Sequence, residues 1–225
     1  MKNFFFILVT FSLCSIGSWT YCLTLSNKDN SGFVQKISGV IEKNGAIGTG
    51  IIITRPVVLN SQRQTVSFIL TAGHVIEHIC TEKSIDDQGQ EISLFNKKLG
   101  QNIPFIQDVV VNNEKIGQLN FECYLLFYSP KEEKDLALLL VKTANFITET
   151  TEFRQPKLGE AIIHAGAFQY PDFKSLVITE GIIAQVERKC PENKYFVQST
   201  NTALPGSSGG GIFSKKDGKC LGLVT

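Results

Sequence analysis

Histidine is scarce in this chain of 225 residues, which carries only His74, His78 and His164. Any chemistry that needs an imidazole must use one of these three. Neither sign of charge is in excess, since 22 Lys+Arg against 21 Asp+Glu leave a formal net charge of +1. That balance excludes a bulk electrostatic pull toward nucleic acid or an anionic membrane. Lys215, Lys216 and Lys219 form only a small local cluster, read as a solvated turn. The six cysteines include no C-x-x-C spacing, which removes the usual zinc and thioredoxin-type redox patterns. Beyond the N-terminus no apolar run approaches membrane-spanning length, and there is neither an internal repeat nor a low-complexity tract.

The one long apolar run lies at the start. Lys2 supplies a positive charge, Phe4 to Leu13 is apolar, and Ser15-Ile16-Gly17 offers small residues for signal peptidase. Residues 1–17 are therefore expected to be a signal peptide cleaved after Gly17, giving a secreted or extracytoplasmic protein with no stable membrane span. An uncleaved anchor is the alternative. Cys14 would leave with the signal, and Cys22, Cys80, Cys123, Cys190 and Cys220 would remain in a compartment that permits disulfides. The expected pairing is Cys80 with Cys123 and Cys190 with Cys220, leaving Cys22 near the free N-terminus. The other reading is that several are buried free thiols.

What remains is a hydrophobic fraction of 43%, enough for a sizeable core, arranged as short strands with frequent turns. Phe33–Ile41 alternates moderately. Gly48–Thr54, Thr65–Thr71, Pro104–Val111, Gln118–Tyr128 and Leu136–Val141 form a first strand series. A brief helix is expected over about Ala72–Cys80, and the polar stretch Thr81–Gln90 reads as a loop. Thr143–Gly159, with Pro156, reads as a connection. Ala161–Ala167, Leu176–Arg188, Tyr195–Thr200, Gly210–Phe213 and Leu221–Thr225 form a second series, with a hairpin turn at Lys216-Asp217-Gly218. The pattern predicts an all-β fold of two packed barrels.

The informative motif is Gly206-Ser207-Ser208-Gly209-Gly210. A serine hydroxyl is a poor nucleophile until a base removes its proton. The base needs a carboxylate to orient it, and the developing oxyanion needs N–H donors. Ser208 is the candidate nucleophile, with the N–H groups of Gly206 and Ser208 as the oxyanion hole. His74 follows an apolar strand and a small-residue corner, from which an imidazole can project into a cleft. His78 falls on the next helical turn, and His164 lies in an apolar run and reads as packing. Asp135 stands at the mouth of the apolar run Leu136–Leu140 and is the candidate orienting acid. Asp108 is its nearest rival, and Asp172 is weaker. His74-Val75-Ile76-Glu77-His78 also reads as H-x-x-E-H, an inverted zinc-protease motif. It offers no third ligand downstream and leaves the Gly-Ser loop unexplained, so neither metal nor cofactor is expected.

Thr71-Ala72-Gly73-His74, Asp135-Leu136-Ala137-Leu138 and Pro205-Gly206-Ser207-Ser208-Gly209-Gly210 together resemble the His, Asp and Ser motifs of chymotrypsin-fold (trypsin-like) serine proteases, in that order. Gly48-Thr49-Gly50, Thr179–Ile183 and Leu221–Thr225 make the HtrA/Deg type the most similar. The resemblance covers roughly residues 33–225. It implies two six-stranded antiparallel β-barrels, the first over 33–142 with His74 and Asp135. A connection over 143–159 leads to the second barrel, over 160–225 with Ser208. The implied activity is peptide-bond hydrolysis through an acyl-enzyme, with a protein or peptide as substrate.

The departures from the family pattern carry information too. Trypsin-type enzymes have an Asp before the nucleophile that pairs with a new N-terminus; here Ser207 stands there, and no Arg/Lys-Ile-Val-Gly-Gly site precedes Val40. Activation by N-terminal insertion is therefore not expected. Thr202, Ala203 and Leu204 form the expected pocket wall, and the neutral Thr202 gives no partner for Lys or Arg. No segment resembles a PDZ domain. The family's last strand of the second barrel has no counterpart before Thr225, so that barrel is expected to be incomplete. A non-catalytic, protease-like peptide-binding protein is the alternative that this departure leaves open.

Overall fold

The structure is a computed structural model, which describes residues 30–59, 61–112, 114–142, 150–168, 175–190 and 194–225. The signal segment 1–17, Cys22, Asp172 and the first half of the connection lie outside the described residues.

β1 (Ser38–Lys43), β2 (Ala46–Leu59), β3 (Gln62–Thr71), β6 (Ile103–Val111), β7 (Glu114–Ser129) and β8 (Leu136–Val141) close into a barrel in the order β1-β2-β3-β8-β7-β6. The β1–β2 hairpin turns at Asn44-Gly45, both at positive φ (55° and 81°). That geometry matches the right-handed twist of the two strands. Alternate residues of these strands fill the barrel: Ile41, Ile52, Ile69, Phe105 and Leu139 are all buried in one core. The helix α2 (Gly73–Cys80) adds Ile76 and Ile79 to the same core.

β9 (Ala161–Ala167), β10 (Leu176–Lys189), β11 (Tyr195–Ser199), β12 (Gly211–Ser214) and β13 (Cys220–Leu223) form a second antiparallel sheet, ordered β11-β10-β9-β12-β13. This is the all-β double-barrel architecture of the chymotrypsin fold, with the second barrel a curled, incomplete half. A second core joins the two units, where Ile51 of β2 packs with Ile163 of β9 and Phe213 of β12. The glycine-rich loop around Ser208, between Ser199 and Gly211, lies against Thr49 and Thr71 of the first barrel.

Three expectations require correction. The segment read as one alternating strand, Phe33–Ile41, begins as a helix, α1 (Ser31–Lys36), and only then becomes β1. Val34 and Ile37 pack from it into the junction core with Phe33 alongside. Positions 33, 34 and 37 lie on one face of a helix, so a 3.6-residue period was hidden inside a short apparent alternation. The polar stretch read as a loop over Thr81–Gln90 starts with a strand, β4 (Thr81–Ile85), paired to β5 (Glu91–Phe95). This hairpin lies off the barrel with mostly exposed side chains. It is held by the backbone ladder, by Asp86, whose Oδ1 accepts the N–H groups of Gln88 and Gln90, and by Phe95, which stacks on Tyr128 of β7 at 4.5 Å between ring centroids. No apolar periodicity marks such a strand.

The third correction concerns the cysteines: Cys80, Cys123, Cys190 and Cys220 are free thiols. Cys80 and Cys123 are both buried in the barrel core as small apolar side chains. Burial pushes the Cys123 thiol up to about 12. Cys220 opens β13 in the junction core, and its thiol too is pushed up to about 12 by burial. Cys190 follows β10, which β9 and β12 separate from β13. Three strand spacings are roughly 14 Å, well beyond disulfide reach.

Candidate active site

The corner Thr71-Ala72-Gly73-His74 converts β3 into α2, and His74 projects from the first turn of that helix. Gly73 is required by packing. A Cβ on it would meet the Ser129 carbonyl oxygen at 2.2 Å and the Leu136 nitrogen at 2.9 Å. The missing side chain lets the helix start lie directly on the β7–β8 connection. That connection ends at Asp135, whose N–H donates to the Pro130 carbonyl at 2.9 Å. Asp135 adopts φ 48°, a left-handed conformation that Asp tolerates better than most residues.

The consequence is a two-point attachment of carboxylate to histidine. The His74 N–H donates to Asp135 Oδ1 at 2.8 Å, and the ring Nδ1 lies 2.9 Å from Oδ2. Nδ1 against a carboxylate carries the proton, which leaves Nε2 free as a base toward the cleft. Asp135 is 7% exposed overall, whereas the His74 side chain keeps 20% of its surface. The rival acid Asp108 is engaged elsewhere, with Lys115 Nζ at 2.8 Å and Gln118 Nε2 at 2.9 Å.

Ser208 is half-buried at the tip of the glycine-rich loop. It shares a cavity of about 490 Å³ with His74, His78 and the β1–β2 hairpin, Asn44 to Ile47. Within the loop, the Ser207 N–H donates to Leu204 O, Gly209 N–H to Val224 O and Gly210 N–H to Ser207 O. The N–H groups of Gly206 and Ser208 make no hydrogen bond with the described residues. Gly206 sits at φ 97° and Gly209 at φ 82°. A Cβ on Gly209 would lie 2.1 Å from Thr71 Oγ1 and 2.2 Å from Thr49 O, so the loop rests on the barrel itself.

Thr49 is the residue that sequence reasoning passed over. It is fully buried in β2, and all its polar groups serve this junction. Its N–H donates to Ser208 O at 2.7 Å, and its hydroxyl donates to Gly206 O at 2.8 Å. The same hydroxyl accepts the Ala167 N–H at 2.8 Å, and its carbonyl accepts Thr71 Oγ1 at 2.6 Å. A threonine between Gly48 and Gly50 was the available signal: a hydroxyl flanked by two residues without side chains, on a buried strand.

The remaining candidates are dispersed. Ala203 lines a larger cleft of about 1010 Å³ together with Asn201, Ile183, Gly222 and Val224. Thr202 and Leu204 are exposed and do not line it. The Thr202 carbonyl accepts Thr179 Oγ1 at 3.2 Å, and the Leu204 N–H donates to Ser207 Oγ at 3.1 Å. His78 is exposed, its ring edge-on to His74 at 6.4 Å between centroids. Among the described residues no group of three or more His, Cys, Asp or Glu side chains could hold a metal ion.

The double-barrel sheets and a His–Asp pair beside a glycine-bound serine define the class of the trypsin-like peptidases. The chain belongs to the trypsin-like peptidase domain family, whose model matches residues 48–223. No curated protein sequence matches it. Solved structures share the fold at low identity. A serine-to-alanine variant of Rv3671c from M. tuberculosis H37Rv, in an inactive form, is 16% identical, with TM-score 0.55 over 88% of this chain and 78% of that one. Deg5 is 17% identical, with TM-score 0.56 over 89% and 86%. A variant of the HtrA-type protease AlgW with a tripeptide is 15% identical, with TM-score 0.56 over 88% of this chain and 54% of that one.

Proposed function

We propose that this protein is a secreted serine endopeptidase that cleaves peptide bonds through an acyl-enzyme. Ser208 Oγ attacks the scissile carbonyl, and His74 Nε2 takes its proton and returns it to the leaving amine. Asp135 holds the His74 ring and offsets its positive charge. The free N–H groups of Gly206 and Ser208 receive the oxyanion. The observation that carries the reading is the doubly bonded His74–Asp135 pair on the same cavity as Ser208. Export through residues 1–17 is part of the proposal, and mass spectrometry of the N-terminus of exported protein tests it.

One observation favours a second reading, a peptide-binding relative without catalysis. The Ser208 hydroxyl makes no hydrogen bond with a described residue, and among the described residues the His74 ring is hydrogen-bonded only to Asp135. Unliganded sites often hold such contacts loosely, and they tighten when substrate binds. Labelling with a fluorophosphonate separates the two. Wild type should label and Ser208→Ala should not; an unlabelled, folded wild type rejects the enzyme reading.

A further inference from the structure

His164 is fully buried in β9, directly beneath the nucleophile loop. Its Nδ1 lies 3.2 Å from Thr179 Oγ1, and that hydroxyl donates to the Thr202 carbonyl at 3.2 Å. With the hydroxyl proton used there, Thr179 accepts from the ring, so Nδ1 carries the proton. Nε2 is then a bare acceptor, buried and without a partner. An unsatisfied buried nitrogen is costly and calls for an explanation.

The sequence has cleared space at that nitrogen. A Cβ on Gly210 would lie 2.9 Å from Nε2 and 2.8 Å from the Ser207 carbonyl. A Cβ on Gly166 would lie 2.8 Å from Nε2 and 3.0 Å from Ser207 Oγ. Ser207 Oγ and His164 Nε2 therefore border the same gap. Ser207 is itself buried, and its hydroxyl accepts the Leu204 N–H. Its own proton points at Ala167 O across 3.5 Å, a contact at the limit of a hydrogen bond. An acceptor without a donor thus stands beside a donor with a poor acceptor.

We propose that His164 is a positioning residue for the nucleophile loop, its Nε2 accepting the Ser207 hydroxyl when the loop assembles for catalysis. The bond would fix the residue between Gly206 and Ser208, whose N–H groups must hold their aim. It would do so from within the chain, where no charged residue precedes the nucleophile. Burial pushes the His164 imidazole down to about 4, so the ring is a neutral acceptor across the working range. In its kinetic consequence the inference rests on the peptidase reading above.

The test is a double-mutant cycle with His164→Phe, which keeps the ring volume, and Ser207→Ala. Each single variant should lower the fluorophosphonate labelling rate and kcat by about ten-fold, the value of one hydrogen bond, with KM little changed. The double variant should be no worse than the poorer single one. His164→Gln, which restores a side-chain acceptor, should recover part of the rate. Additive losses, or a Phe variant as fast as wild type, overturn the proposal. A second measurement does not depend on catalysis: the 15N shift of Nε2, which should differ between wild type and Ser207→Ala. If wild type takes no label, the peptidase reading fails, and this shift alone decides whether the pair exists; identical shifts overturn it.

Discussion

Asp135 grips His74 at two points, accepting its backbone N–H on Oδ1 at 2.8 Å and facing its ring Nδ1 with Oδ2 at 2.9 Å. The first contact fixes the start of α2, and the second fixes the ring. Asp135→Asn should keep the first and spoil the second, because an amide favours the wrong tautomer of the histidine. The expected result is a fall in kcat of about 10⁴-fold with little change in melting temperature. Steady-state kinetics beside calorimetry check it, and a parallel loss of folding would show that the carboxylate acts mainly as a structural tie.

Thr49 offers a change of comparable effect away from the reacting atoms. Thr49→Val keeps the shape and removes the hydroxyl. Gly206 O then loses its donor and Ala167 N–H its acceptor, both in buried surroundings. The loss should be about 2–4 kcal/mol of stability for two orphaned groups. The labelling rate should fall as well, because Gly206 carries one of the proposed oxyanion donors. Denaturant midpoints and labelling rates of the two proteins measure both effects.

These two residues mark what the sequence could reveal. The grouping of His74 with Asp135 and with Ser208 was legible as a candidate site because each chemistry-bearing type stands at the end of a recognisable strand or inside a glycine run. The barrel strands β2, β3 and β8 were legible because their buried faces are branched and apolar. Thr49 was not, because its role depends on a loop 157 residues away, and the flanking glycines mark a close approach without showing what approaches. β4 was hidden because an exposed hairpin carries no apolar period. α1 was hidden because six residues are too few to separate a helical from an alternating pattern.

Acid should weaken the fold through His164. Its folded value, about 4, lies below its ordinary 6.5, because burial penalises the charged ring. Above pH 6.5 the ring is neutral in both states and contributes nothing adverse. As pH falls from 6.5 toward 4 the unfolded chain binds a proton that the folded chain refuses, and stability drops. By pH 4.5 the loss from this one group should be about 2–3 kcal/mol. Urea unfolding of wild type and His164→Phe at pH 7 and 4.5 isolates it, since the variant should lack this share of the decline.

Cleavage preference should follow the uncharged residues that precede the glycine-rich loop. Ala203 lines the larger cleft and Thr202 and Leu204 are exposed outside it, so none of the three offers a charge to a Lys or Arg side chain. Small or aliphatic residues before the scissile bond are expected. A peptide-library profile dominated by Arg and Lys would contradict that.

Gly209 gives the sharpest steric prediction, because two independent constraints meet there. Its φ of 82° is a conformation that side chains resist, by roughly 1–2 kcal/mol. A methyl group would also enter the space held by Thr71 Oγ1 and Thr49 O, at 2.1 Å and 2.2 Å. The carbonyl belongs to a barrel strand and cannot yield, so the loop must lift instead. Lifting breaks the Thr49 N–H bond to Ser208 O and carries Ser208 away from His74. Gly209→Ala should therefore abolish fluorophosphonate labelling even in protein that remains folded. Circular dichroism and labelling on the same sample decide it: a folded, normally labelled variant would mean that the loop does not depend on this contact.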